Sequence, residues 1–349
     1  MTVTHTGWSL SDQLPERVVP SSLYDSDGWL RTWETNTIEQ RTRLAYVSDE
    51  RGDVLPLYEI TSSPFWHGYE VQCDLVGRFG KPIVFAGSTY SMYGKRGPVA
   101  HALVRGAYET AMEWIGDGPA DVLVVPNLTD EGVEDWLAVA GEPVGKVLLE
   151  RTYSIGVHGT FRDHLWRNLP EKIRKDVERR LRRSSERGLT IRMVEGQEAH
   201  DLVRFAYPLT VDTSDKNDWP ALFSEQSLNA MLDVPGAMLV AAEIGTELVG
   251  AFFAFRHGDE VTFMCGGVNY ASLKEYSTYI ALMYGCTRWA YENGMRRIEW
   301  GRDNYRFKEK HGLTGTDLWA LVYAPSPRPD LAKALRGMHD VLSAYIEGV

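Results

Sequence analysis

The chain has 349 residues, 44% hydrophobic and 24% charged, with a net charge of −11, a composition typical of globular proteins with room for two domains. Its three cysteines lie far apart, which excludes a disulfide framework and a paired-cysteine zinc site, so no metal is predicted. No apolar run approaches the ~18 residues of a membrane span, and residues 1–10 lack a signal-peptide pattern, so a cytoplasmic protein is expected.

The first half alternates helical and strand patterns in an α+β order. Caps, apolar periodicity and turn residues predict helices at 22–36, 99–115 and 130–140, and strands at 43–48, 54–60, 121–125 and 146–153. Residues 62–97 are rich in Gly, Pro and Tyr and are predicted to form a loop. Their glycines and hydroxyls also suit an anion, although they match no phosphate-binding fingerprint.

The second half opens with a basic helical stretch, since residues 162–192 hold 11 basic and 5 acidic side chains. In an acidic protein such a stretch attracts polyanions. A solvated helix face with i,i+4 pairs, such as Glu171 with Lys175, produces the same pattern. Charge alone leaves both interpretations open.

The rest of the second half predicts an antiparallel meander between helices. Pro208 is predicted to end a helix and to open a polar loop at 210–220, and Ser272 and Glu275 predict a capping box. The predicted helices are 161–168, 170–188, 198–208, 224–232, 272–293 and 330–346, and the strands are 189–194, 237–244, 248–256, 261–266, 297–300 and 318–323.

A dense polar cluster follows the strand at 297–300. After Gly301, the sequence RDNYRFKEKHG places six polar or aromatic side chains of chemical interest within ten residues. Clusters just past a strand end are a common position for chemistry in α/β and α+β domains. A charged surface loop has the same appearance.

The order of elements and several short stretches resemble the FemAB-like branch of the GNAT acyltransferases. In the second half the stretches are residues 205–223, the strand at 248–255 with Gly250, and the ending Phe307-Lys308…His311-Gly312. The branch usually has the pattern FK..FG at this ending. In the first half, residues 22–34 and 55–60 resemble the opening of the branch's first domain. The resemblance implies an α+β fold of two tandem GNAT-like domains, each a mixed, mostly antiparallel sheet flanked by helices. The implied domains are 1–155 and 156–349, the second with a basic helical segment at 162–188 and a terminal helix at 330–346.

The resemblance also implies an enzyme that forms an amide by attack of an amine on an activated ester or thioester. GNAT enzymes bind the CoA pyrophosphate on a Q/R-x-x-G-x-G/A loop at a helix N-terminus. Residues 266–275 lack that spacing, and Glu275 would repel a diphosphate. Aminoacyl-tRNA is therefore the first expected donor, acyl-CoA the second, and a non-catalytic recognition module is the alternative of another class. No tightly bound cofactor is expected.

Lys308 is assigned by the same resemblance, and the other site residues by the chemistry of their side chains. Lys308 is expected to hold the donor carbonyl or a phosphate, Asp303 or Glu299 to act as base, and Tyr305 to protonate the leaving group. The amine acceptor, small or peptide-like, is expected to meet Arg302, His311, Asp212, Asp215, Trp219 and Tyr207. The expected tRNA contacts are Arg179, Arg180, Arg182 and Arg183. Each also has a plainer interpretation, such as a surface lysine, a packing tyrosine or a structural ion pair.

Overall fold

The computed structural model describes residues 2–35, 38–77, 82–87, 97–217, 221 and 223–348. Two units emerge from the contacts along the chain: Met1–Thr152 together with Thr316–Val349, and Tyr153–Gly315. Strand β7 crosses this division, so its last residues belong to the second unit.

The first unit is a mixed sheet with helices on its faces. Its strands are β1 (Thr2–His5), β2 (Trp8–Ser11), β3 (Gln40–Ser48), β4 (Val54–Ser62), β5 (Ile83–Ala86), β6 (Leu123–Leu128), β7 (Gly145–Gly156) and β13 (Thr314–Tyr323). Its helices are α1 (Asp27–Thr35), α2 (Pro64–Gln72), α3 (His101–Asp117), α4 (Asp130–Ala140) and α12 (Pro329–Glu347).

Strands of the first unit follow the order β1-β2-β3-β4-β5-β6-β13-β7. The pairs from β1 to β5 are antiparallel, β5 and β6 are parallel, and β6 and β13 are antiparallel. Helices α3 and α4 cover one face, where Trp136 and Val104 lie among fully buried strand residues. Burial of this aliphatic and aromatic surface is the main stabilising contribution to the unit.

The last strand and the terminal helix belong to the first unit. β13 lies between β6 and β7, the indole Nε1 of Trp319 donates to Asp130 at 2.9 Å, and Arg328 pairs with Asp121 at 2.9 Å. The sequence-based division at residue 155 had assigned this segment to the second domain. Local pattern does not reveal it, because the partners of β13 are far away in the chain.

The second unit carries the basic helices and the meander. Its helices are α5 (Phe161–Asn168), α6 (Glu171–Glu186), α7 (Gly196–Lys216), α8 (Glu225–Met231), α9 (Leu273–Tyr276), α10 (Thr278–Glu292) and α11 (Tyr305–Lys310), and its strands are β8 (Leu189–Val194), β9 (Ala237–Ile244), β10 (Glu247–His257), β11 (Glu260–Val268) and β12 (Arg297–Glu299). The predicted meander is confirmed, because β9 to β11 pair antiparallel in sequence order.

Strands β11 and β12 are parallel, and β12 pairs with the end of β7. The predicted fold class, α+β with mixed and mostly antiparallel sheets flanked by helices, is therefore confirmed. In the parts of the chain that the structure describes, no helix is both long and apolar enough to cross a membrane.

The predicted polar loop at 210–220 is wrong in its described part, because α7 continues through Pro208 to Lys216. Proline removes one backbone donor and normally kinks or ends a helix. Here the helix lies directly on β11: a Cβ added to Gly267 would be 2.0 Å from the carbonyl oxygen of Leu209. This close contact supports the helix on both sides of the proline.

The predicted helix at 272–293 is two helices. Ser277 separates α9 from α10 with a left-handed backbone, φ +51°. Ser272 makes no capping bond to α9, and its hydroxyl instead donates to the carbonyl of Asn269 at 3.3 Å. The predicted capping box is therefore wrong.

Candidate functional site

The turn between β12 and α11 has an unusual backbone. Gly301, Asp303 and Asn304 have φ values of +63°, +63° and +53°. For residues with a side chain this left-handed region costs roughly 1 kcal/mol each. Such a turn persists only where its surroundings hold it in place.

Lys308 provides that support. Its Nζ donates to the carbonyls of Trp300 at 2.9 Å, Gly301 at 3.0 Å and Arg302, so all three ammonium hydrogens have acceptors in the turn. The residue is only 3% exposed. These contacts describe a residue that positions the turn, and its predicted contact with a donor carbonyl or phosphate stays a prediction.

The other predicted residues of this segment are placed differently from one another. Arg302 and Tyr305 are buried, and the ring of Tyr305 lies 6.1 Å from that of Tyr153. Asp303 is exposed at the apex of the turn. Glu299 is buried on β12 and accepts from Arg297 at 2.7 Å, a structural ion pair. Of the three predicted catalytic side chains, Asp303 is thus the one open to solvent.

Tyr279 is a polar residue of this region that the sequence did not single out. It lies in the first turn of α10, and its hydroxyl hydrogen-bonds to Asn304. Burial raises the pKa of Tyr279 to about 12; the Asn304 bond opposes this, and the charge of Asp303 adds to it. Its ring packs edge-on against Phe252 and Phe307. The hydroxyl is therefore protonated at neutral pH and directed at the turn.

His311 belongs to a buried histidine–tyrosine cluster. The Tyr284 hydroxyl and its Nδ1 are hydrogen-bonded at 2.6 Å, and the imidazole stacks on Phe307. Burial, helped by the charge of Lys310, lowers the pKa of His311 to about 4. Nearby, burial lowers the pKa of His164 to about 4, and Tyr291 lies 3.2 Å from its Nδ1. A neutral, buried His311 packs the end of α11, and its predicted substrate contact stays a prediction.

Strand β11 continues past the end of β12, and we call the edge of β11 beyond their ladder the gap. Their ladder covers only residues 260–262 and 297–299, and beyond it the Trp300 ring stacks on Phe263 with 4.7 Å between centroids. On its other edge β11 carries a bulge at Cys265, where the pairing with β10 slips by one residue. A bulge leaves backbone groups outside the ladder. The Gly266-Gly267 pair was the sequence signal for this irregularity.

The predicted acceptor residues Tyr207, Asp212 and Asp215 lie on α7. Gly250 and Ala251 are adjacent on β10 and therefore face opposite sides of the sheet. Gly250 faces α10, whereas Gly267, the partner of Ala251, faces α7. The α7 residues consequently lie on the opposite face from α10 and α11. The predicted Trp219 lies outside the described residues.

The basic helix α6 packs against α9 and α10. Ser184 hydrogen-bonds to the carbonyl of Tyr276, and Arg187 donates to that of Glu275 at 2.7 Å. This fixes the C-terminal end of α6 beside the segment that leads into α10.

The four predicted tRNA-binding arginines lie on α6 with different partners. Arg179 and Arg180 share Asp176, whereas Arg182 is 3.9 Å from Glu186. Arg183 is exposed and has no ion pair within the described residues. Both interpretations of the basic stretch therefore find support, because i,i+4 pairs form and exposed positive charge remains. Across the same described part of the chain, no three His, Cys, Asp or Glu side chains converge as metal ligands would.

Comparisons with known proteins agree with this geometry. Residues 171–309 match the family described as acetyltransferase (GNAT) domain. FemX has a TM-score of 0.57 at 9% identity over 86% of this chain and 92% of its own. The C-terminal domain of a putative lysylphosphatidylglycerol synthetase from Agrobacterium fabrum has a TM-score of 0.55 at 12% identity, and the match covers 87% of this chain and 89% of that domain. L-PGS from Bacillus licheniformis has a TM-score of 0.55 at 12% identity, and the match covers 93% of this chain and 98% of its own. A search of curated proteins finds no match.

At such low identities the likeness to solved structures concerns the fold. Residues 171–309 are similar to a GNAT acetyltransferase domain, and the overall fold of the chain is similar to that of FemX. The two-unit fold predicted from the motif resemblance is therefore confirmed at the level of the fold.

Proposed function

We propose that this protein is an aminoacyltransferase that moves the acyl group of an aminoacyl-tRNA to a small or peptide-like amine. The acceptor nitrogen attacks the ester carbonyl and a C–N bond forms. The bond between the carbonyl carbon and the ribose oxygen then breaks. The amine loses a proton, and the ribose oxygen gains one, so the products are an amide and a free tRNA hydroxyl.

The observation that carries the choice of donor is the attachment of α6 to the segment before α10. Seven of its sixteen side chains are basic, and its end is fixed beside Glu275 and Tyr276. An acyl-CoA enzyme presents glycine N–H groups to a diphosphate at this position. Here the glycine spacing is missing from residues 266–275, and Glu275 pairs with Arg187 at 3.7 Å. The exposed arginines of α6 suit the phosphates of RNA.

The two faces of the sheet support a division of roles. The donor would approach from the face of α10, and the amine from the face of α7 with Tyr207, Asp212 and Asp215. The reaction would take place at the gap between β11 and β12. Asp303 suits proton removal, because its carboxylate is exposed.

The remaining predicted residues fit supporting roles in this proposal. Lys308 would hold the turn that carries Asp303 and Asn304, with Arg302 and Tyr305 packed behind it. The Tyr279 hydroxyl is better placed than that of Tyr305 to protonate a leaving oxygen on the α10 face, because it lies in the first turn of that helix and bonds to Asn304 of the turn.

An acyl-CoA-dependent N-acyltransferase is the second candidate, favoured by the matched family of acetyltransferases. The missing glycine spacing at residues 266–275 argues against it, because an acyl-CoA enzyme uses that loop to bind the diphosphate. A non-catalytic recognition module on the same fold is the candidate of another class.

The test is a donor comparison with the purified chain. The protein is incubated with a mixture of charged tRNAs, or with acetyl-CoA, and a panel of amines and short peptides, and products are identified by mass. We expect amide products from charged tRNA that Asp303→Asn reduces at least tenfold. Glu292→Gln, an exposed carboxylate at the far end of α10, should leave the rate unchanged. Amine-dependent consumption of acetyl-CoA with no use of charged tRNA would favour the acyl-CoA-dependent N-acyltransferase. A protein that uses neither donor would favour the non-catalytic recognition module.

A further inference from the structure

We propose that Trp166, with Arg174 stacked on it, forms a platform for an unpaired nucleobase of the RNA donor. This inference rests on the proposed function and adds a specific contact to it. Trp166 lies on α5 and is 54% exposed, and the guanidinium carbon of Arg174 is 3.5 Å from the centroid of its ring.

The exposure of Trp166 is not explained by packing within the unit. Large aromatic residues are usually buried for most of their surface, and α5 places His164 and Leu165, not Trp166, in the interior. Arg174 covers one face of the indole, so the opposite face accounts for much of the exposed area. The guanidinium also holds the ring in one orientation, which lowers the entropy lost when a base stacks on it.

The charges around Trp166 indicate a polyanion. Arg162, Arg167 and Lys172 flank it in sequence, and among the described residues none of the three has an ion pair, whereas Lys175 pairs with Glu171 at 2.7 Å. Residues 162–192 carry a net charge of +6, and the rest of the chain therefore carries −17. A ring stacked against one cation, with three more cations close by in the sequence, fits a base followed by its phosphates, the usual chemistry of single-stranded nucleic-acid sites.

Phe205 offers a matched comparison within the same unit. It is 51% exposed, and the guanidinium carbon of Arg204 lies 4.7 Å from its ring centroid. Its helix, α7, carries exposed carboxylates such as those of Asp201 and Asp212. An aromatic–arginine pair on an acidic helix should contribute nothing to RNA binding, so Phe205→Ala is the control for Trp166→Ala.

Binding of two labelled RNA minihelices by the full-length chain tests the platform. One ends in a single-stranded 3′ extension of four nucleotides and the other is blunt, and each is titrated at several salt concentrations. We expect Trp166→Ala to weaken binding of the extended minihelix by roughly five- to a hundredfold, the range for loss of one stacked base. Trp166→Phe should restore most of the affinity. Binding of the blunt minihelix should not change.

Stacking and phosphate contacts differ in their salt dependence. Trp166→Ala should leave the slope of log affinity against log salt unchanged, whereas Arg182→Glu with Arg183→Glu should make it shallower. Equal binding of both minihelices by wild type and Trp166→Ala would overturn the platform alone. Wild-type protein that binds no RNA, yet transfers acyl groups from acetyl-CoA, would overturn both the platform and the proposed donor. A change in oligomeric state with RNA affinity preserved would assign Trp166 to a protein contact and overturn the platform.

Discussion

At the scale of single residues, the buried ammonium of Lys308 explains how a strained turn is maintained beside the gap of the sheet. Three backbone carbonyls accept hydrogen bonds from its nitrogen. Removing the charge from water costs free energy, and the three charge-assisted hydrogen bonds offset that cost. The turn thereby presents Asp303 and Asn304 at its apex. Positioning of this kind affects chemistry without contact between the lysine and a substrate.

Replacement of Lys308 by Met should therefore destabilise the fold. The carbonyls of Trp300, Gly301 and Arg302 lose the bonds from the ammonium group, and Gly301 keeps the bond from the Tyr153 N–H at 2.9 Å. We expect the free energy of unfolding to fall by about 2–4 kcal/mol in denaturant titrations. Lys310→Met, an exposed neighbour on the same helix, should change it by less than about 0.5 kcal/mol. A Lys308 variant of unchanged stability that has lost all transfer activity would contradict the positioning role and indicate direct contact with substrate.

Two buried histidines make the second unit sensitive to acid. His164 and His311 have folded pKa values of about 4, below the ordinary 6.5. Between pH 6.5 and 4 the unfolded chain binds protons that the folded chain does not, so the free energy of unfolding falls as pH falls through this window. The loss should be on the order of 3 kcal/mol for each histidine.

Equilibrium unfolding at a series of pH values measures this loss. Between pH 6.5 and 4, His311→Gln should reduce the change in the free energy of unfolding by about half. His158→Gln, at an exposed position in the same unit, should leave that change as in wild type. A wild-type chain equally stable at pH 7 and pH 4.5 would contradict the prediction.

At the scale of elements, local pattern was sufficient where turns and caps are strong. The meander and helix α4 were predicted within a residue or two of their ends. The β1–β2 hairpin was missed because every residue of β1 is exposed, so it shows no alternation. Helix α2 was missed because its apolar residues are scattered around the helix and form no single face. It also contains a glycine, which has a low helix propensity. These two elements depend on tertiary packing that no local pattern encodes.

The same limit applies to the candidate site. Gly301 and the polar residues after it located the turn correctly, since a glycine past a strand end is a local signal. The bond between Tyr279 and Asn304 and the three acceptors of Lys308 join segments only when the fold brings them together. Lys308 was therefore assigned from resemblance to a substrate contact, whereas its neighbours are backbone carbonyls.

Gly267 determines how closely α7 approaches β11. Gly267→Ala would place a Cβ 2.0 Å from the carbonyl oxygen of Leu209, and backbone atoms have little freedom to yield. We expect the midpoint of thermal unfolding to fall by an amount equivalent to roughly 2–4 kcal/mol. Gly337→Ala, on α12 with open space around it, should be neutral or slightly stabilising. A Gly267→Ala chain as stable as wild type would mean that α7 shifts freely on the sheet.

At the scale of the whole molecule, the first unit is completed by the last part of the chain. β13 lies between β6 and β7, so its removal exposes two strand edges inside the sheet. Such edges pair readily with other chains. The fragment 1–315 should therefore aggregate or lose hydrogen-exchange protection in β6 and β7, and a peptide of residues 314–349 should restore it. Full protection of those strands in the fragment would contradict this arrangement.

The position of β13 also has a consequence for synthesis. Asp130, at the start of α4, and Trp319 are 189 residues apart in the chain. At the rates of translation, β6 would leave the ribosome roughly 10–40 s before its partner strand. During that interval the nascent first unit has an unfilled slot between β6 and β7, so we expect it to depend on chaperones until β13 has left the ribosome.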